Sequence, residues 1–351
     1  MQIQIRRPDD WHLHLRDGAA LTAVLPFTAA RFARAIVMPN LKPPVTTTSA
    51  ALEYRARILA ALPPNDDRYA RFTPLMTLYL TDRTEPAEMV RAKDSGAVYA
   101  CKLYPAGATT NADSGVTDIR RIDAVLERMS ELNLPLLVHG EVTARDVDVF
   151  ERETRFIDEV LAPTIGRFPQ LRVVFEHITT KIAVEFVKSA RDGVAATITP
   201  QHLLHNRNAI FEGGIRPHYY CLPILKTEPD REALLAAAVS GNPRFFLGTD
   251  SAPHAQAAKE TACGCAGMFS AHAGIELYAE AFESVGKIDK LEGFASDFGA
   301  DFYRLPRNAD RITLAKREWR PPANYHFPVD GGVGKLVPMR ANEPVAWQLV
   351  N

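Results

Sequence analysis

Four histidines, a lysine and an aspartate stand at the ends of short apolar runs, where a folded chain would bring them together. His12-Leu13-His14 lies within Trp11 to Leu15, and strand alternation there puts His12, His14 and Arg16 on one face. Two imidazoles at i and i+2 suit a divalent metal, and the Arg16 fork, one step further on, suits a carboxylate. In isolation the same pair reads as two polar-face histidines. His139 closes Leu136-Leu137-Val138-His139, and His177 closes Val173-Val174-Phe175-Glu176-His177. Asp250 follows the run Phe245 to Gly248, where a carboxylate ligates metal and shuttles a proton, or else caps a turn. Together these residues favour coordination, with Glu141 and Glu176 as supporting carboxylates.

Lys102, in Ala100-Cys101-Lys102-Leu103-Tyr104-Pro105, sits where an ammonium is poorly hydrated. Burial and nearby cations lower a lysine's pKa and expose an amine able to capture carbon dioxide, giving a carbamate that can bridge two metals. The alternative is a lysine whose head reaches solvent. His254 is a further cation or hydrogen-bond donor. Cys263-Gly264-Cys265 with Cys221 lacks an evident fourth ligand for a thiolate zinc site and is read as packing.

The elements that must position these residues form eight apolar runs: 11–15, 35–38, 73–80, 97–103, 134–139, 171–177, 194–199 and 244–248. Helical composition separates most of them, as in 49–61, 119–132, 144–161, 182–190 and 231–240. Strands alternating with helices predict an α/β fold with eight parallel strands, and a closed (β/α)₈ TIM barrel is the architecture whose strand ends meet at one mouth. An open doubly wound sheet would spread the same residues along a line, and no glycine-rich dinucleotide turn follows the first run. Pro321-Pro322 and the turn-rich stretch 329–334 predict that residues after about 310 form a C-terminal tail packed on a single 1–351 domain.

Bulk properties narrow the class further. Of 351 residues 46% are hydrophobic and 24% charged, and the net charge of -1 gives no field to recruit nucleic acid or an anionic membrane. Any anionic substrate must therefore be held by a few local cations. Four cysteines are too few for a disulfide-stapled secreted scaffold, so a reducing, cytoplasmic setting is expected. Arg6-Arg7 is followed by Pro8-Asp9-Asp10 instead of an apolar signal, and no run is long enough to span a membrane.

Residues 6 to about 270 resemble the shorter, single-function bacterial dihydroorotases of the amidohydrolase superfamily. The likeness rests on Asp9-Asp10-Trp11-His12-Leu13-His14-Leu15-Arg16-Asp17-Gly18, Met38-Pro39-Asn40, Lys102-Leu103-Tyr104-Pro105, His139-Gly140-Glu141 and Glu176-His177-Ile178-Thr179-Thr180. Thr199-Pro200-Gln201-His202, Tyr220-Cys221-Leu222-Pro223, Gly248 to His254 and Cys263-Gly264-Cys265-Ala266-Gly267 extend it.

The resemblance implies two zinc ions, with His12, His14 and Asp250 on one, His139 and His177 on the other, and a carbamylated Lys102 (N6-carboxylysine) and a hydroxide between them. It implies reversible cyclisation of N-carbamoyl-L-aspartate to L-dihydroorotate in pyrimidine synthesis, in a homodimer. The bridging hydroxide would be the nucleophile and Asp250 the catalytic proton shuttle. Arg16, Asn40 and His254 would hold the α-carboxylate, the backbone of Leu222 and Ala266 the ring amide, and Thr109 and Thr110 would close from a lid, 105–115. His139 would also face the substrate. Gly107 and Ala112 depart from the family's lid, where Asn and Ser are expected. A hydantoinase or dihydropyrimidinase would share the metals but has no use for Arg16, and a non-catalytic relative would have lost ligands.

Overall fold

The computed structural model describes residues 1–64, 66–329 and 332–350. After a first strand, β1 (Gln2–Arg6), come β2 (Asp10–Leu13), β3 (Arg34–Val37), β4 (Thr73–Tyr79), β5 (Val98–Leu103), β6 (Leu136–His139), β7 (Val173–Glu176), β8 (Val194–Ile198) and β9 (Phe245–Leu247). From β2 to β9 each strand pairs in parallel with the next. The ring closes where Asp250 N donates to His12 O at 2.9 Å and His14 N to Ser251 O at 3.2 Å. The fold is thus the (β/α)₈ barrel that the eight runs predict.

One inner layer takes Trp11, Ile36, Leu75, Ala100, Leu137, Val174, Ala195 and Phe246, one from each barrel strand. Below them the helix Phe298–Tyr303 plugs the floor, with Tyr303 stacked on Trp11 at 4.5 Å. Filling the floor with aromatics leaves the opposite end, where the strands finish, for polar groups. The outer faces of the same strands, such as Val37, Cys101, Val138 and Phe175, pack against the helices. A representative cover is Lys181–Ser189, which buries Ala183, Val184 and Val187 on one face and is capped by Thr180 Oγ1, accepting from Ala183 N at 3.0 Å.

The expected helix 144–161 is broken. Helix begins only at Arg152–Phe156, passes through a wider turn at Ile157–Leu161 and resumes at Ala162–Arg167. Pro163 has no N–H to give to the preceding turn, which accounts for the widening. Glu153 also turns inward and accepts from the backbone of Thr179 (2.8 Å) and Thr180 (2.8 Å), pinning the chain just beyond His177.

Residues after 310 are more regular than a wrapped tail. Strand β10 (Arg311–Trp319) lies between β1 and β13 (Val345–Leu349), while β11 (Tyr325–Val329) and β12 (Gly332–Leu336) form a hairpin. Of the stretch 329–334 expected to be turn-rich, residues 330–331 lie outside the described residues. Strand β1 escapes sequence reading because it offers only Ile3 and Ile5 and finds its partner some 310 residues away. Among the described residues no helix is long and apolar enough to cross a membrane.

Candidate active site

Strand alternation predicts His12, His14 and Arg16 on one face, and the structure adds a qualification. The pairing of β2 with β3 slips between Asp10 and Leu13, so Trp11 and His12, neighbours in sequence, both face the barrel axis. Leu13 packs outward. In β5 and β6 regular alternation holds: Ala100 and Lys102 point inward, as do Leu137 and His139.

At the mouth, His12 Nε2 and His14 Nε2 lie 3.4 and 3.1 Å from the same Asp250 oxygen, forming one cluster of candidate metal ligands. The ring of His177 stands between those of His12 (4.8 Å) and His139 (4.9 Å), carrying the array across the barrel. Lys102 is fully buried beside them, and its Nζ has no hydrogen-bond partner. Arg16 (φ 60°), His177 (φ 41°) and Asp250 (φ 45°) hold left-handed backbone conformations that cost non-glycine residues about 1–3 kcal/mol each. Strain at three such residues turns their side chains into a pocket the strands alone would not make.

The partners of the imidazoles fix which nitrogen faces the centre. His12 Nδ1 lies 2.8 Å from Glu176, which also accepts from Thr197 Oγ1, leaving Nε2 inward. His14 Nδ1 lies 2.9 Å from Asn40 Oδ1, again leaving Nε2. His139 is the reverse, with Nε2 on Glu141 at 2.7 Å and Nδ1 free to coordinate. Glu141 and Glu176 therefore orient ligands, as expected. Such contacts set ring orientation and raise ligand basicity.

Electrostatics favour neutral rings at His12, His14 and His177. Burial, then the charge of Lys102, holds His12 and His177 well below the usual histidine range. Burial pulls Lys102 down to about 8, against Glu176 and Asp250. For Asp250 burial pushes upward, but the hydrogen bond with His14 and the neighbouring positive groups leave it below the usual carboxylate value. This donor set suits divalent metal: His12, His14 and His139 each have an outer partner that leaves the other ring nitrogen available, while His177 Nδ1 and Lys102 Nζ are buried without one.

The remaining expected residues line one pocket: Arg16, Asn40, Thr109, Thr110, Leu222, His254 and Ala266. Arg16 donates through Nε to Pro253 O (2.8 Å), and its Nη2 lies 2.9 Å from His254 Nε2. Burial, then Arg16, holds His254 well below its usual pKa, so it is neutral and not the second cation considered from sequence. Positive charge at that end of the pocket belongs to Arg16.

The lid is better anchored than its small residues suggest. Ala112 is fully buried against Tyr79 and Tyr104, and Asn111 Nδ2 donates to Asn40 O at 3.0 Å. Sequence reading gave no role to Tyr104, whose hydroxyl is buried without a partner although the residue stands in the Lys102-Leu103-Tyr104-Pro105 motif, or to Lys259, which stands in none of the quoted motifs.

Residues 9–314 match the Amidohydrolase family. The chain is 64% identical over 348 residues to a dihydroorotase of Aromatoleum aromaticum and 63% identical over 348 residues to one of Microcystis aeruginosa, covering 99% of each chain in both pairs. A crystal structure of dihydroorotase from Campylobacter jejuni superposes with a TM-score of 0.89 at 37% identity, over 100% of this chain and 98% of that one. With this extent of likeness, and with the strand-end array on the page, the chain belongs to the amidohydrolase family and, within it, to the dihydroorotases, enzymes that hydrolyse cyclic amides.

Proposed function

We propose that this enzyme interconverts N-carbamoyl-L-aspartate and L-dihydroorotate, using two zinc ions held by His12, His14, His139, His177, Asp250 and a carbamylated Lys102. The observation that carries this reading is the division of one pocket into two ends: Asp250 with the imidazoles at one, Arg16 with Asn40 and His254 at the other. When bound, such a metal pair supplies Lewis acidity and lowers the pKa of bound water. In hydrolysis the Asp250 carboxylate accepts the proton of the attacking water and delivers it to the departing ureido nitrogen; ring closure runs the same transfer in reverse.

Arg16 pairs with the α-carboxylate through its free guanidinium edge, while Asn40 and His254 add hydrogen bonds. Backbone groups of Leu222 and Ala266 meet the ring amide, His139 borders the reacting carbonyl, and Thr109 and Thr110 exclude water from above. A hydantoinase substrate has no carboxylate for Arg16. Within this reading the chain is one domain, β10 being tied to the N-terminal β1, and it works as a homodimer in the cytoplasm.

The experiment is metal content per chain measured beside turnover of dihydroorotate, hydantoin and dihydrouracil. Up to two zinc ions, loss of activity to a chelator and a strong preference for dihydroorotate are expected. Full turnover by metal-free protein, or preference for the uncharged rings, would overturn it.

A further inference from the structure

Lys259 ends the short helix Gln256–Lys259 and is only 4% exposed, yet among the described residues its ammonium pairs with carbonyls alone. Its Nζ donates to Tyr220 O (3.1 Å), Cys265 O (2.8 Å) and Gly267 O (2.6 Å). Three donors on a rotatable ammonium match three acceptors from two separate segments. Cys265 and Gly267 bracket Ala266, and Tyr220 lies two residues before Leu222. The clamp thus joins the two stretches that bring Leu222, Ala266 and Gly267 to the pocket.

A close fit on the far side makes that placement sensitive. Gly267, at φ +144°, lies so near the wall that a Cβ there would sit 2.7 Å from Ala252 Cβ and 3.1 Å from His254 Cδ2. Gly267 N returns a hydrogen bond to Tyr220 O at 3.0 Å, and Ala252 N donates to Met268 O at 2.8 Å. Burying an ammonium is costly unless its protons are satisfied, so the cation is held in place by the very carbonyls it organises. Charge is a second contribution: Lys259 adds to the positive field around His254 and Arg16.

We propose that Lys259 is a positioning residue that holds the Leu222 and Ala266 backbone against the substrate ring. This rests on the reading under Proposed function. Lys259 hydrogen-bonds to none of the candidate metal ligands, so its loss should loosen substrate binding and spare the metals.

Lys259→Met keeps the length and packing of the side chain but removes all three donors; Lys259→Gln retains two on a shorter stem. Both variants are assayed with dihydroorotate alongside the wild type, with zinc content measured on the same preparations. Lys259→Met is expected to raise KM about tenfold or more, as loss of charged hydrogen bonds implies, with metal content unchanged, kcat little altered and Lys259→Gln intermediate. A KM within about twofold of wild type, a loss confined to kcat, or a fall in zinc would overturn the proposal. Should Lys259→Met not fold, Lys259→Gln decides by the same criteria, expected a few-fold above wild type in KM. A wild type inert toward dihydroorotate would overturn the underlying reading as well, whereas unaltered variants of an active wild type overturn only the role of Lys259.

Discussion

Asn40 Oδ1 lies 2.9 Å from His14 Nδ1, and the same side chain gives its amide proton to Thr110 O at 3.2 Å. One residue thus orients a candidate metal ligand and ties down the lid. Asn40→Ala should weaken metal binding by about 10–100-fold, the usual cost of losing a ligand's outer partner, and raise KM besides. Zinc titration beside steady-state kinetics checks both; normal affinity for zinc would show that Asn40 does not orient His14.

Lys102 Nζ is buried without a partner. Lys102→Ala should lose metal and activity together, and small carboxylic acids should restore part of each by supplying an anion in the gap. Retention of both metals by the unsupplemented variant would contradict a bridging role.

Thr109 and Thr110 line the pocket from the lid, and the Thr110 carbonyl accepts from Asn40. The double variant Thr109→Ala with Thr110→Ala should lower kcat by roughly 10- to 100-fold, in the range of lost positioning contacts, with zinc unchanged. Unchanged kinetics would leave the lid without a catalytic part.

The Tyr104 hydroxyl is buried at the pocket wall, and burial first, with Asp250 second, keeps its proton on well above the ordinary tyrosine range. It is therefore a permanent donor. Tyr104→Phe should reduce kcat/KM about tenfold, the worth of one hydrogen bond to a charged group, without altering metal content. Wild-type kinetics would mean the hydroxyl meets no ligand.

Outside the pocket lining, His272 is buried beside Phe269 (5.4 Å) and Tyr325 (5.9 Å), and burial, with Arg31, pulls its pKa down to about 3 from 6.5. Below pH 6.5 the unfolded chain takes up a proton that the folded chain refuses. Stability is therefore full above about 6.5 and falls by up to about 1.4 kcal/mol per pH unit toward 3. His202, at about 4, acts in the same sense. The drop in Tm between pH 7 and pH 5 should be smaller in His272→Leu than in wild type; equal drops would place the acid sensitivity elsewhere.

The barrel and the residues gathered at its mouth were legible in the chain itself. Eight apolar runs at barrel spacing, most with a polar residue at, near or just past the end, define the strands because burial on both faces demands continuous apolar sequence and frees only the termini for polar groups. Tertiary structure alone decided the rest. Trp11 and His12 share the barrel interior through a slip in pairing that no local pattern encodes. His254 is neutral because burial and then the charge of Arg16, distant in sequence, oppose its protonation. Strand β1 exists because β10 offers an edge, and Lys259 gains its meaning from carbonyls up to 39 residues away. Sequence specifies which groups are apolar, titratable or rigid; their pKa values, partners and angles depend on neighbours that only the closed barrel supplies.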